Sequence, residues 1–350
     1  MNVVIFLLIL SVIVAIHEFG HLMAAKYFSV YCYEYAIGMG PQLLKWKKKE
    51  TVYSLRLIPI GGFVAMAGAP EDDAAYPDIE VPKGRHLSEQ APYKKVIIML
   101  AGVIMNFLLA WVLLSLCLAF TGRYQAQPKA MVGKIQENSP AQKAGLMEGD
   151  IIKEIQSPNG KITKPQLFSE LSQFQSSETY TLKVERKGKI QEIKLQPQMD
   201  QTKQRYLIGI SAQEPEIKEI TWWNMGWYGA LSFFEVFGLM LTSILNLFRG
   251  IGLQDLSGPV GIYKVTSSYV SLGWIPVLFL MAQLSLNVGI FNLLPLPVLD
   301  GGQIVMVLIE KMIGRPLKEK YKLWVMLACW AILISLMLYA TWNDIFRKGF

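Results

Sequence analysis

Two histidines and one glutamate lie close together near the amino terminus, in the order His17-Glu18-Phe19-Gly20-His21. In a helix, positions i and i+4 lie one turn apart on the same face, so His17 and His21 can bind one zinc ion together. Such an ion lowers the pKa of a bound water, and Glu18 can accept the proton of that water as the resulting hydroxide attacks a carbonyl group. The motif therefore indicates the chemistry of peptide hydrolysis.

The position of this motif favours a functional role over a structural one. It directly follows the apolar run Val3 to Ile16, and ionisable side chains at membrane depth are costly and are usually functional. A catalytic zinc ion usually has three protein ligands and one open position, so a third ligand must come from elsewhere in the chain. The sequence thus predicts a metal site inside a membrane.

Asp300 is the best candidate for the third ligand, in the stretch Asn292-Leu-Leu-Pro-Leu-Pro-Val-Leu-Asp300-Gly-Gly302. Pro295 and Pro297 interrupt the helix there, and irregular backbone at membrane depth is tolerated only where protein or water satisfies its polar groups. Asp is also a good N-cap, so Asp300 can equally begin a helix predicted from Gly302 to Ile313. The two roles are compatible.

The composition indicates a membrane protein, because hydrophobic residues make up 52% of the chain and charged residues only 17%. Four apolar runs are long enough to cross a bilayer or to enter it deeply. They are Val3 to Ile16, Val96 to Phe120, Trp274 to Val298 and Leu323 to Ala340. The first run has no Lys or Arg before it, so we expect a retained span and not a cleaved signal peptide.

Basic residues predict the orientation of these spans. The cluster Lys45 to Lys49 places the loop after the first span in the cytoplasm, and the amino terminus outside. A second basic loop, Lys311 to Lys322, is cytoplasmic only if the apolar stretch Trp227 to Phe248 does not cross. We therefore predict four spans and one interfacial or partly buried helix. The positive charge lies in short loops beside the spans, which argues against a nucleic-acid partner.

The chain is expected to have four parts, of which residues 121–200 form a small β-rich domain outside the cytoplasm. Within it, Thr181 to Leu195 has two alternating strands joined at Lys187-Gly188, which predicts a hairpin. The other parts are residues 1–120 with the first two spans, residues 201–272 with a linker and the interfacial helix, and residues 273–350 with the last two spans.

The paired motifs around His17 and Asp300 resemble the signature of the site-2 protease family of intramembrane zinc metalloproteases, in its RseP-like bacterial branch. Further matching stretches are Gly38 to Pro41, Ile58 to Val64, Ala101-Gly102 with Asn106-Phe107, and Leu256 to Gly261. Val103 stands where the family often has Pro.

The resemblance implies that His17, His21 and Asp300 bind Zn²⁺, that Glu18 is the general base and that Asn292 helps to hold the substrate backbone. It further implies a multi-pass protein of the bacterial inner (plasma) membrane, surrounded by lipid, that cuts transmembrane segments. Anti-sigma factors and signal-peptide remnants are the substrates that the resemblance suggests.

Tyr53 to Met66 alternates in part between apolar and polar residues, and the family resemblance makes it part of a β-hairpin that enters the membrane near the metal. A helical substrate segment must unwind before it is cut, and an edge strand can satisfy its freed backbone groups. A plain cytoplasmic hairpin is the alternative. The expected substrate-binding residues, besides Asn292, are Tyr53, Leu55, Gly61, Gly62, Phe63, Pro295 and Pro297.

The external block resembles a single PDZ domain within Lys129 to Met199. The matching stretches are Ser139-Pro140-Ala141, Ala144-Gly145-Leu146 and Gly149-Asp150-Ile151-Ile152. PDZ domains bind extended peptides by strand addition, so we expect this domain to receive peptide or protein tails. The expected fold is a polytopic α-helical membrane protein with four transmembrane helices, a membrane-associated β-hairpin and an inserted PDZ-like domain.

Two other functions remain compatible with these residues. A membrane zinc carrier or sensor could use the same His and Asp side chains without catalysis, although it would have no need of a general base such as Glu18. A PDZ-bearing scaffold could hold a structural metal, but such a site normally has four protein ligands, and the sequence offers three.

Overall fold

The structure is a computed structural model in which the chain forms two compact units. The first unit comprises Met1–Thr121 and Thr221–Phe350, and the second comprises Gly122–Ile220. The structure describes residues 2–125, 130–160, 162–165, 168, 171, 174, 176–200, 205–213, 217–248, 258–315, 317 and 319–346. The predicted motif residues Leu256 and Ser257 lie outside these ranges.

Helices form most of the first unit. In chain order the helices of the described residues are α1 Asn2–Tyr27, α2 Pro70–Ala75, α3 Pro92–Thr121, α4 Pro140–Lys143, α5 Met225–Phe248, α6 Pro259–Leu272, α7 Trp274–Asn292, α8 Asp300–Ile313 and α9 Glu319–Phe346. All belong to the first unit except α4, which lies in the second. Within the described residues, five helices are long and apolar enough to cross a membrane, namely α1, α3, α5, α7 and α9. The chain is thus built as a multi-pass membrane protein. Besides the four predicted spans, α5 is also long and apolar enough to cross.

The third predicted span is shorter than the apolar pattern indicates, because α7 ends at Asn292 and not at Val298. A tight turn follows, in which the backbone N–H of Leu296 bonds to the Leu294 carbonyl. Proline at 295 and 297 cannot donate the backbone hydrogen bonds that would continue a helix. A Cβ at Gly302 would overlap the backbone of Leu296 and Pro297, so glycine allows α8 to pack against this turn.

Helix α3 packs against α1, α5, α7 and α8. Small residues allow the close approach of these helices, as is common in membranes. A Cβ at Gly20 of α1 would overlap the Ala101 carbonyl of α3, and one at Gly289 of α7 would lie 2.5 Å from the Phe107 ring. The motif His17 to His21 therefore packs directly against α3.

The predicted β-hairpin is present as β1 Cys32–Lys48 and β2 Thr51–Met66, but it is folded back on itself. Each strand bends, with positive φ at Gly38, Gly40 and Gly61, a conformation that glycine adopts without strain. The result is a sheet of four antiparallel segments in the order 62–66, 32–37, 52–55 and 44–48. Among the described strands, segment 62–66 pairs on one side only and is therefore an edge.

A buried carboxylate holds this sheet together. Glu34 is 2% exposed, and its carboxylate accepts hydrogen bonds from Ser54, Tyr76 and Arg56. The Arg56 guanidinium also lies over the Phe63 ring, 4.9 Å from its centroid. Since a buried charge requires such partners, the cluster ties the edge segment to the inner segments.

The second unit is small and β-rich. Its strands are β3 Arg123–Gln125, β4 Val132–Ile135, β5 Ile151–Gln156, β6 Ile162–Thr163, β7 Tyr180–Arg186, β8 Lys189–Leu195, β9 Gln198–Asp200, β10 Arg205–Leu207, β11 Ile210–Ala212 and β12 Ile217–Glu219. The predicted hairpin at Lys187-Gly188 is confirmed as β7 and β8, in a sheet of order β6-β5-β7-β8. Two short ribbons, β4 with β11 and β3 with β12, extend the unit beyond residue 200.

The stretches between residues 139 and 152 that carry the PDZ resemblance form the short helix α4 and the turns that lead into β5. The Ser139 side chain accepts a hydrogen bond from the backbone of Gln142, which caps α4. Asp150 is buried and accepts two hydrogen bonds from Arg186. Burial alone would raise the pKa of Asp150, but the Arg186 guanidinium holds that pKa below its ordinary value. This ion pair fixes the turn before β5 to the end of β7.

Candidate metal centre

The α1 helix places the two predicted histidines as the spacing indicates. Their Nε2 atoms lie 3.2 Å apart, with ring centroids 4.7 Å apart and ring planes nearly perpendicular. Both residues are buried, at 7% and 6% exposure. Two imidazole nitrogens at this distance in the core of a helix bundle form half of a metal site.

Asp300, the predicted third ligand, completes a triangle with these nitrogens. Its Oδ2 atom lies 3.2 Å from His17 Nε2 and 3.5 Å from His21 Nε2. The prediction of a helix from Gly302 is wrong in one detail, because α8 begins at Asp300, with Leu299 as N-cap and no side-chain cap. Asp300 therefore does not cap the helix, and its carboxylate is directed at the two histidines.

The three donor atoms fit a zinc ion. Zinc binds His nitrogen and carboxylate oxygen at roughly 2.0–2.2 Å with tetrahedral angles, which places neighbouring donors about 3.3 Å apart. In the structure the three donor atoms lie 3.2, 3.2 and 3.5 Å from one another, close to that distance. Among the described residues, Asp300 Oδ2 is also buried without a hydrogen-bond partner, which is costly unless a cation is present. The same three residues form a cluster that could hold a metal ion.

Glu18 lies beside the triangle and against the sheet. Its carboxylate interacts electrostatically with all three candidate ligands and accepts a backbone hydrogen bond from Val64 in the edge segment. A Cβ built on Gly62 would lie 3.8 Å from Glu18 Cγ. The edge segment of the sheet and the candidate general base are thus in contact, which sequence spacing alone did not establish.

One face of α3 lines the site, and its contribution was not predicted. The Ile98 carbonyl lies 2.8 Å from His21 Nδ1, and the Asn106 amide nitrogen lies 3.1 Å from His17 Nδ1. A Cβ at Gly102 would lie 2.5 Å from His21 Nε2, so only glycine fits. Asn106 had a signal that could have identified it, since an amide inside an apolar run needs a partner.

Three of the predicted substrate-binding residues lie at the end of α7 or in the turn that follows it. The Asn292 amide nitrogen is 3.5 Å from His17 Nε2, which leaves that side chain at the edge of the triangle. Pro295 and Pro297 belong to the turn that joins α7 to Asp300. They act on the site by ending α7 and by bringing Asp300 back towards α1.

The predicted strand residues divide into two groups. Gly61, Gly62 and Phe63 lie at or beside the edge segment that contacts Glu18. Tyr53 and Leu55 lie on an inner segment, where each pairs with residues on both sides. Tyr53 also accepts a hydrogen bond from Lys26. Because their backbone groups are already paired, a substrate strand cannot be added beside these two residues, and a role for them in substrate binding stays a prediction.

Comparison with known proteins identifies the family of this chain. Residues 5–336 match Peptidase family M50. A protein of Clostridium acetobutylicum that is named a zinc metalloprotease is 35% identical over 98% of this chain and 97% of its own. One of Fusobacterium nucleatum, similarly named, is 32% identical over 99% of both chains. The regulator of sigma-W protease RasP of Bacillus subtilis is 31% identical over 99% of this chain and 98% of its own.

These matches extend over nearly the whole chain and include the helices that carry both motifs. The matched range, residues 5–336, contains the pair of histidines, the facing aspartate and the adjacent glutamate. The chain belongs to Peptidase family M50, the site-2 protease family, and is a zinc metalloprotease.

Proposed function

We propose that this protein hydrolyses peptide bonds in transmembrane segments of other membrane proteins, within the bilayer. The observation that carries the proposal is the position of the triangle His17, His21 and Asp300, which is buried between membrane-length helices. His17 lies fifteen residues after Asn2, the first residue of α1, or roughly 22 Å along its axis. A site at that depth meets a substrate inside the membrane and not in water.

We assign the following roles. His17, His21 and Asp300 would hold the zinc ion, which when bound supplies a Lewis acid and a water of lowered pKa. Glu18 takes the proton of the attacking water and passes it to the departing amide nitrogen. The Asn292 amide, within 3.5 Å of His17 Nε2, donates a hydrogen bond to the substrate backbone. The burial of the site limits access of bulk water.

The edge segment 62–66 would bind the unwound substrate. It pairs with segment 32–37 on one side, and its Val64 backbone bonds to Glu18. A strand added to the free side would pass directly in front of Glu18, with its freed N–H and C=O groups satisfied by the edge. Gly61, Gly62 and Phe63 are the substrate-binding residues that this arrangement supports.

Metal analysis and cleavage of a synthetic membrane-spanning peptide, both on the purified protein in lipid nanodiscs, test the proposal together. We expect about one zinc ion per chain, internal cleavage of the peptide, and loss of cleavage after chelation that added zinc reverses. Zinc binding without cleavage of any membrane peptide would favour the carrier or sensor function. Cleavage that survives complete removal of metal would exclude the proposed chemistry.

The substrate class follows from the requirement for unwinding and from one relative. A segment that leaves the helical state easily, such as an anti-sigma factor span or a signal-peptide remnant, fits the edge segment best. The Bacillus subtilis relative is named a regulator of sigma-W protease. We propose that this chain acts on substrates of the same kind, in the bacterial inner (plasma) membrane.

We propose that the second unit is a PDZ-like domain that screens substrates by their external tails. It holds none of the candidate ligands, and its residues 139–152 resemble the PDZ pattern of small residues and turns. Its boundary strands also indicate how to remove it. Gln125 and Ile217 are direct partners in the β3 and β12 ribbon, so a short linker can join them.

Replacing residues 126–216 with a short Gly-Ser linker should leave zinc binding and cleavage of short membrane peptides within about threefold of the parent protein. The variant should also cut peptides with bulky external domains that the parent excludes. A deletion confined to residues 129–199 would instead leave β11 without its partner β4. A folded, zinc-loaded variant that cuts nothing would show that the unit is needed for catalysis.

Contacts within the first unit support four crossings despite five candidate helices. Before α5, Trp222 contacts Phe120 at the end of α3, and after it, Gly258 lies against Thr341 near the end of α9. The opposite end of α9 lies near the start of α3, where Glu310 bonds Lys322 and interacts with Lys95. Both ends of the stretch that contains α5 therefore lie at one end of the bundle.

We therefore propose that the stretch containing α5 makes no net crossing. Within it, Ile244 packs in a core cluster with Ile290 and Ala110. With the basic loops in the cytoplasm, this end, the amino terminus and the second unit lie outside. Lys318, in the second basic loop, lies outside the described residues. Arg315, which is exposed at the end of α8, serves the same purpose.

In intact cells, a cysteine at Arg315 should resist an impermeant thiol reagent, and one at exposed Glu192 in the second unit should react. Both substitutions are made after Cys32, Cys117 and Cys329 have been replaced by alanine, so that background labelling is absent. Lysed cells should label at both positions. Labelling of Arg315→Cys from outside would mean that α5 crosses and that the four-crossing topology is wrong.

A further inference from the structure

One face of α3 meets both candidate histidine ligands. Ile98, Gly102 and Asn106 follow one another at four-residue intervals, so they lie along one side of the helix. Ile98 is beside His21, Gly102 is between the two imidazoles, and Asn106 is beside His17. This face therefore contacts the nitrogen of each ring that is turned away from Asp300.

The way in which a metal would bind determines which nitrogen of each imidazole carries a proton. Asp300 Oδ2 is near the Nε2 atom of both rings, so a metal at the centre of the triangle would be bound through Nε2. A neutral imidazole bound through Nε2 carries its proton on Nδ1, which must then donate a hydrogen bond. For His21 the acceptor is the Ile98 carbonyl at 2.8 Å. Only the acceptor for His17 is left to identify.

The Asn106 amide is the group that faces His17 Nδ1, at 3.1 Å through its nitrogen. In that orientation two donors would oppose each other once Nδ1 carries a proton. Meanwhile Asn106 Oδ1 is buried and has no hydrogen-bond partner among the described residues. Amide oxygen and nitrogen are assigned from the hydrogen-bond network, and exchanging them places Oδ1 opposite Nδ1–H. Rotating the amide by half a turn thus gives Asn106 Oδ1 a donor and gives the Nδ1–H of His17 an acceptor.

We propose that Asn106 is a positioning residue, whose Oδ1 accepts the Nδ1–H of His17 and so keeps Nε2 of that ring directed at the zinc ion. Asn106 is fully buried, and its backbone carbonyl accepts a hydrogen bond from Ser285 of α7 at 2.9 Å. That bond holds the α3 backbone at Asn106 against α7, and the side chain is enclosed in the interior of the first unit. This inference rests on the zinc site of the proposed function.

The test compares Asn106→Asp, which keeps an acceptor, with Asn106→Leu, which has similar size and no acceptor. The zinc dissociation constant is measured by competition with a chelator, and the melting temperature of zinc-free protein is measured in parallel. Loss of such a partner typically weakens metal binding 10–100-fold. We expect that loss in Asn106→Leu, and affinity within about threefold of the parent in Asn106→Asp.

Ser115→Ala is the matched control, since Ser115 is a buried polar residue on the same helix that bonds to its own Trp111 carbonyl. It should bind zinc like the parent protein. The cobalt-substituted protein gives a second readout, because a rotated His17 would change its visible absorption spectrum in Asn106→Leu but not in Asn106→Asp. If Asn106→Leu does not fold, Asn106→Ala takes its place in both measurements.

The outcomes separate this inference from the proposed function. A parent protein that binds no zinc would refute the metal site itself. A parent that binds zinc, with Asn106→Leu binding equally tightly, would refute the role of Asn106 alone. Equal weakening in Asn106→Asp and Asn106→Leu would likewise refute it, because an acceptor at that position would then have no effect.

Discussion

Glu18→Gln should retain the zinc ion and lose proteolysis. The substitution leaves His17, His21 and Asp300 in place, and glutamine has nearly the same size and can keep the hydrogen bond from Val64. It removes the only proton acceptor that the structure places beside the triangle among the described residues. General-base catalysis contributes roughly 100-fold to 10,000-fold, so we expect a loss of at least about 100-fold in the rate of peptide cleavage.

The measurement is single-turnover cleavage of a fluorescent membrane-spanning peptide, together with zinc content by mass spectrometry. Glu235→Gln in α5 is the control, since it removes another carboxylate from an apolar helix and should leave both values unchanged. Parent-like proteolysis in zinc-loaded Glu18→Gln would remove Glu18 from the mechanism. Loss of zinc in the same variant would show instead that Glu18 supports the metal site.

Local periodicity was sufficient to predict half of this site. The four-residue spacing of His17 and His21 determines their relation in any helix, and Glu18 is adjacent in sequence. Asp300 is far away in the chain, so its assignment rested on its chemistry and on the proline-rich turn before it. What the sequence could not provide was the close packing of α1 against α3, which depends on Gly20 and Gly102.

The sheet shows the limit of sequence analysis more clearly. Alternation in Tyr53 to Met66 predicts a strand, but both strands pair twice because they bend at glycines. Because each strand folds back on itself, Tyr53 lies on an inner segment of the sheet and residues 62–66 lie at its edge. A pattern of period two describes the faces of a strand and not which neighbours it acquires. The proposal that Gly61, Gly62 and Phe63 bind the substrate therefore depends on the pairing register, which the sequence pattern does not give.

The helix ends were also only partly predictable. Prolines 295 and 297 correctly indicated a break, yet hydropathy alone extended the third span to Val298, because Leu293 to Val298 is apolar although it forms a turn. Asparagine 106 was noted only as part of a family motif. Its partner, His17, lies on another helix, so its role depends on tertiary packing.

The largest effect on the metal should come from Asp300→Ala. Asp300 Oδ2 is one of three donor atoms in the triangle, lying 3.2 and 3.5 Å from the two imidazole nitrogens. Removing a ligand should weaken zinc binding by more than the 10–100-fold typical of residues that only orient a ligand. Cleavage should fall in parallel and recover little when zinc is added. Zinc titration and peptide cleavage are the measurements.

A structural role for Asp300 predicts a different result, and the position of the residue separates the two. Leu299, not Asp300, is the N-cap of α8, so Asp300 stabilises that helix only as a first-turn carboxylate, by about 0.3–1 kcal/mol. Asp300→Asn keeps the shape and a hydrogen-bonding group but loses the negative charge that complements the zinc ion. We expect it to keep the parental melting temperature without zinc and to bind zinc almost as weakly as Asp300→Ala. Full zinc occupancy in both variants would reduce Asp300 to a residue of the helix start, and the third ligand would have to be sought elsewhere.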